Sequence, residues 1–230
     1  MDIQRQTKLM RQPSGLDMAS ASGHMVHQSD GRRPGAATYL VLMIWSGAVV
    51  AMILAGVYAG AGASRLALPA SVALPLALVA VGLCASSRFK EYLLTLDLRL
   101  VLAAQMWRVI GVVFLFAWVF DELPAGFAVP ASIGDLATGI AAIGVVLALG
   151  DGTLSRGKLY AFTALGVGDL IVAFATGLAL EPPALNSWPL AIFPTLVVPF
   201  FAILHLVAVL QSRHNRENTG SNHHRRDGSG

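Results

Sequence analysis

The chain has 230 residues, a formal charge of +3, 55% apolar side chains and only 13% charged ones. A soluble domain carries about a quarter charged residues, so this composition excludes a fold that faces water on all sides. The basic balance, with a pI near 9.4, is taken as membrane orientation rather than nucleic-acid binding, because the cations flank apolar runs.

Residues 1–36 are polar, rich in Ser, Gly and Gln, and hold Arg5, Lys8, Arg11, Arg32 and Arg33. No apolar run follows the first charges as a secretory signal requires, and a segment this polar cannot bury enough surface to order itself. A disordered cytoplasmic tail is expected. Six apolar runs follow, at about 38–60, 66–85, 99–120, 131–149, 159–180 and 190–211. A helix needs about 20 apolar residues to cross the hydrocarbon core. Lipid offers no partner to an open backbone, and the alternating pattern of about ten residues that marks a membrane barrel is missing. The expected fold is all-α, a polytopic integral membrane protein whose six transmembrane helices form one domain over residues 37–211.

In the first span Gly56 and Gly60 form a GxxxG, a pattern that lets helix backbones approach. The second contains Pro69 and Pro75, and ends near Cys84, placed as a small buried hydrophobe. One cysteine excludes an internal disulfide and a cysteine-built metal site. Between the second and third spans Phe89, Tyr92, Leu93 and Leu96 recur at i, i+3, i+4 and i+7, one helical stripe. They predict either a short interfacial helix or an inward extension of the third span. After the third span, Leu123 and Phe127 make residues 121–130 too apolar for a free loop, so that segment should pack on the outer face.

The third span holds Arg108, about 13 Å from its cytoplasmic end at 1.5 Å per residue, with Gln105 one turn nearer that end. Asp169 in the fifth span lies about 16 Å in, and His205 in the sixth about 12 Å in, by the same rise. An ionisable group at this depth costs about 2.5–3.5 kcal/mol on insertion scales. Arg108, Asp169, His205 and Gln105 are therefore the expected intramembrane polar centre. It could bind an anion, pass protons or gate a path. The competing role is a buried ion pair that only holds the third and fifth spans in register. Asp135 is a secondary candidate; it is placed at the outer end of the fourth span, where a helix dipole stabilises a carboxylate and Ser132 caps the same end. Ile133-Gly-Asp-Leu136 and Val167-Gly-Asp-Leu170 are nearly the same tetrapeptide. Transporters contain inverted repeats, but of several helices, and four residues in so apolar a chain carry little alone. Gly134 with Thr138, and Ala173 with Gly177, form small packing faces. Pro194 and Pro199 kink the sixth span and should leave the Leu190 and Thr195 carbonyls without their usual donors.

The basic residues set the topology. Five lie in the N-terminal tail, three between spans two and three, two between four and five, and four in the 212–230 tail. Cytoplasmic connections hold the Lys/Arg excess, so both termini are expected in the cytoplasm and Arg65 is a lone exception outside. Tyr39, Tyr92, Tyr160, Tyr58, Trp118 and Trp188 fall at the two interface levels that aromatic rings prefer. The 212–230 tail is expected to be disordered and held over anionic inner-leaflet lipids.

No phosphate-cradling glycine loop, HExxH, Cys-x-x-Cys or nucleophile elbow is present in the sequence. No cofactor, metal or catalytic residue is assigned, and no enzymatic activity is expected. The expected partners are the lipid bilayer and a further copy of the chain, not nucleic acid. The expected place is a cell membrane, the bacterial inner membrane. Two functions fit: a small transporter- or channel-like protein with its site at the polar centre, or a non-catalytic sensor or assembly partner in which those residues only lock the helices.

Overall fold

A backbone amide has no partner in lipid, so each apolar run must close its hydrogen bonds within itself. The computed structural model, which describes residues 33–59 and 66–227, with side chains as far as residue 214, obeys that rule. It is helical, with no β-strand among the described residues. Six helices are long and apolar enough to cross a membrane, and the molecule is a multi-pass membrane protein. We number the helices α1 (Ala36–Leu54), α2 (Ala67–Ala85), α3 (Ser87–Leu94), α4 (Leu98–Val119), α5 (Ala125–Gly150), α6 (Arg156–Leu180) and α7 (Val198–Asp227). All but α3 are spans, and the sixth span begins with a π-helical turn, Phe193–Val197, that leads into α7. Arg5, Lys8, Arg11, Arg32, Gly60 and Arg65 lie outside the described residues.

The connections sort to two ends of the bundle. At the terminal end α3 ties the start of α1 to the late part of α7. The Thr38 and Tyr92 hydroxyls are hydrogen-bonded, and Gln211 Nε2 donates to the Leu93 and Leu96 carbonyls, each at 2.9 Å. A large apolar cluster fills this end, with Leu98, Leu102, Leu149, Leu159 and Val207 among its members. The distal end has a second cluster around Phe114, Phe127, Leu185 and Leu190. A third, of Val49, Ile53, Tyr58 and Ala191, pins α1 beside the start of the sixth span. The layer between the first two clusters is where the polar side chains collect.

The helix α3 is separate from α4. Ser86 Oγ accepts from the Phe89 amide at 3.2 Å to start it, and Asp97 caps α4 through the Arg99 amide at 2.8 Å. Leu93 is buried, and Phe89, Tyr92 and Leu96 pack against the terminal cluster. The Gln211 amide satisfies carbonyls that α3 leaves open at its end. Gln211→Leu is expected to cost about 1–3 kcal/mol by leaving buried carbonyls unpaired. Hydrogen exchange should then quicken in residues 93–97 before the spans respond; protection unchanged there would remove this role.

Four expectations change. The first span ends at Leu54, not at residue 60. Gly56 turns the chain with φ of +73°, a conformation that glycine adopts without a Cβ clash, so it is a turn residue and not part of a helix face. The fourth span begins at Ala125, not at 131. Pro124 precedes its first turn, and Pro130 is carried inside the helix. Leu123 and Phe127 are still buried, as their apolarity demands. The last helix runs to Asp227 rather than stopping at residue 211 before a disordered tail. Gln211-Ser-Arg213 contains no glycine or proline to end it. Cys84 faces outward from α2 and is exposed, because it falls on the side of α2 turned away from the other spans.

Candidate functional site

The middle of α4, Gln105–Val112, is wound as a 3-10 helix. Three residues per turn stack side chains in a row at i, i+3 and i+6. Leu102, Gln105, Arg108, Gly111 and Phe114 recur at that spacing, and all are buried. The tighter winding therefore keeps one straight row facing the bundle, and Arg108 is its centre.

Arg108 is fully enclosed, its side chain 0% exposed. It joins three helices. Nε donates to Asp135 Oδ1 on α5 at 2.8 Å, Nη1 to the Gly166 carbonyl on α6 at 3.0 Å, and Nη2 to Asp169 Oδ2 on α6. Its Cζ also lies 5.5 Å from the centre of the Phe201 ring on α7, within cation–π range. The Arg108–Asp169 pair expected from helix depth is present.

Asp135 is a correction. It does not sit in the first turn of its helix, and the dipole does not account for it. With α5 starting at Ala125, Asp135 lies ten residues further on, about 15 Å by helical rise, at the level of Arg108. Ser132 is not a cap either; its Oγ donates to the Gly111 carbonyl at 2.8 Å. The two Gly-Asp-Leu tetrapeptides thus deliver both carboxylates to one guanidinium. They sit on antiparallel neighbours, α5 and α6, at a common depth.

Missing side chains create the room. A methyl at Gly111 would lie 2.3 Å from Asp135 Oδ2, and one at Gly134 would lie 1.6 Å from Asp169 Oδ1. A methyl at Gly139 would press on the Val109 amide at 2.9 Å. Gly111 and Gly139 let the backbones of α4 and α5 close around Asp135, and Gly134 seats the Asp169 carboxylate of α6 against α5.

Gln105 and His205 are brought to the same region, with different roles. Gln105 Nε2 donates to the Phe201 carbonyl at 3.3 Å. His205 is buried, and its ring lies 5.2 Å from that of Phe162. A methyl at Gly166 would meet His205 Nε2 at 2.1 Å and Arg108 Nη1 at 3.1 Å, so imidazole and guanidinium share the space over that glycine. Neither ring nitrogen of His205 has a protein hydrogen-bond partner. Pro194 lies within the π-helical turn and Pro199 just after it. The Leu190 carbonyl is not orphaned by Pro194, since it accepts from the Phe193 amide at 3.1 Å.

A cavity of about 350 Å³ runs from the distal loop at Glu181, Pro182 and Asn186 down to Asp135 and Asp169. Phe114, Phe127, Phe174, Phe193 and Phe201 line it, with Tyr58 at the side. That volume lies in the range of small-molecule pockets, which are mostly apolar with few polar groups. The carboxylate side chains keep slight exposure, 16% for Asp135 and 6% for Asp169, while Arg108 is sealed behind them. The face that the cavity presents at its floor is therefore carboxylate, with the guanidinium behind it. Among the described residues no group of three His, Cys, Asp or Glu side chains is placed to hold a metal ion.

Sequence reasoning ranked the second carboxylate below the other four residues, at the wrong depth, and missed the aromatic cavity. Two signals pointed to the carboxylate: the repeated tetrapeptide, and the period of three from Leu102 to Phe114, which aims Arg108 inward. A family model described as "Domain of unknown function (DUF8737)" matches residues 65–211. That match takes in α2 to α6 and the sixth span as far as Gln211, with the whole polar layer and the cavity floor, and leaves out α1. No curated protein and no solved structure matches the chain.

Proposed function

We propose that this chain, which belongs to the DUF8737 family, is a transporter-like membrane protein that binds a small organic cation in its distal cavity. One observation carries the reading: the cavity ends on two carboxylates that share a single buried guanidinium. With all three ionised, the layer bears one uncompensated negative charge. A cation resting on Asp135 and Asp169 neutralises it, and the surrounding phenylalanine faces attract the same charge. The role is binding and translocation rather than catalysis.

The Lys and Arg residues of the terminal end support a cytoplasmic position for both termini. They also support attraction of that end to anionic lipids, and a bacterial inner membrane is the proposed location. The complete enclosure of Arg108 favours a second reading, a sensor or assembly partner in which the triad only locks α4, α5 and α6.

Isothermal titration of the detergent-purified protein with benzyltrimethylammonium separates the two. This probe is one aromatic ring with a fixed positive charge. Saturable binding is expected, weakened at least tenfold by Asp169→Asn and by Asp135→Asn, which is about 1.4 kcal/mol or more. A folded protein that binds no such cation, or binds it equally well without the carboxylates, leaves the locking role.

A further inference from the structure

Buried polar atoms are hydrogen-bonded in more than nine cases of ten. Here Gln105 Oε1, Thr138 Oγ1, Thr163 Oγ1, both ring nitrogens of His205 and Ser212 Oγ are buried without a protein partner. Their placement is one-sided. Gln105 precedes Arg108 by one 3-10 turn toward the terminal end, and Thr138 follows Asp135 by about 4.5 Å in the same direction. Thr163 precedes Asp169 by about 9 Å, and Ser212 follows His205 by about 10.5 Å. None of them lines the distal cavity. The cavity reaches the carboxylates from one side, and the unpartnered polar groups lead away from them on the other. The file ends beside Arg213, which is exposed.

Groups of this kind are satisfied by buried water, each molecule needing two to four polar partners. Hydroxyl and neutral imidazole groups both donate and accept, so with water they can hand protons along. Asp and His chains within spans serve as proton relays. The charged and titratable groups facing the file are Arg108 from α4, Asp135 from α5, Asp169 from α6 and His205 from α7. Tyr58 and Glu181 face the cavity side.

We infer that the terminal half of the bundle is a hydrated proton path, running from Ser212 past Thr163, Gln105, Thr138 and His205 to the carboxylates, and that a proton exchanges there with the cation of the distal cavity. This rests on the cation-binding reading for the exchange, though not for the path. The step balances: one proton arrives on a carboxylate of the pair as one monovalent cation leaves, and the charge of the layer is unchanged.

Proteoliposomes of the full chain, loaded with benzyltrimethylammonium and a luminal pH dye, test it. The permanent charge keeps the probe from crossing lipid as a neutral base. Dilution into probe-free medium should acidify the lumen in wild type. His205→Phe should slow acidification at least tenfold while equilibrium binding stays within twofold. Thr163→Val, close in shape and without the hydroxyl, should slow it at least threefold. Acidification at the wild-type rate in both variants overturns the path. A second arm drives protons inward with an acid exterior and no quaternary cation, using a potassium ionophore to balance charge. Wild-type proton entry that His205→Phe abolishes, with no cation binding, would sink the cation reading and uphold the path. No acidification by wild type in either arm would overturn the path.

Discussion

Arg108→Met is expected to destabilise the protein by about 3–5 kcal/mol, the range for removing one partner from a buried charge pair. The loss is large because the three donor bonds of Arg108 go to α5 and α6. The variant leaves two carboxylates without their cation in a layer flanked by apolar clusters. Arg108→Lys should recover little of it. A lysine is a point charge on a flexible stem and cannot present the planar fork that meets Asp135, Asp169 and the Gly166 carbonyl together. Arg108→Met combined with Asp135→Asn and Asp169→Asn should regain much of the stability, because no unpaired charge remains. Denaturant unfolding in mixed micelles, with the monodisperse yield as a second readout, measures all three. An Arg108→Met protein that unfolds with wild type would show that the triad holds nothing together.

The second large effect compares equivalent positions in the two tetrapeptides. Gly134→Ala should cost about 1–3 kcal/mol, the usual penalty of overpacking. Its methyl would stand 1.6 Å from Asp169 Oδ1 and 2.3 Å from Asp169 Cγ, and Asp169 cannot retreat while Arg108 holds it. Gly168→Ala has nothing within 4 Å of its methyl. It should be neutral or gain up to about 1 kcal/mol, since alanine is the better helix former. Thermal unfolding of the two variants side by side reads the contrast. Equal behaviour would mean that α5 and α6 do not meet in this register.

Much of this was legible because lipid enforces it. Length and apolarity alone place six spans, and helical rise alone puts Arg108 and Asp169 at one depth. The stripe from Phe89 to Leu96 likewise marks a helix, and the capping Ser86 and Asp97 settle that it stands apart from α4. What failed were the places where local rules compete. The fourth span reads as starting at residue 131, after Pro130, yet Pro124 is the real boundary, and that six-residue shift moves Asp135 from a surface turn to the middle of the bundle. Gly56 reads as a packing residue but acts as a turn. The role of His205 was only half visible: depth places it beside Arg108, but no sequence rule shows that its nitrogens lack a partner. The cavity was not legible at all, because Phe114, Phe127, Phe174, Phe193 and Phe201 come from separate helices and look like ordinary lipid-facing residues in the chain.

The 3-10 winding of Gln105–Val112 also sets the length and phase of α4. Each 3-10 residue advances about 2.0 Å and turns 120°, against about 1.5 Å and 100° in an α-helix. Rewinding these eight residues to α would draw the distal end of α4 inward by about 4 Å and rotate it by about 160°. Phe114 would swing out of the cavity wall, and the row that aims Arg108 at its two aspartates would be split between two faces.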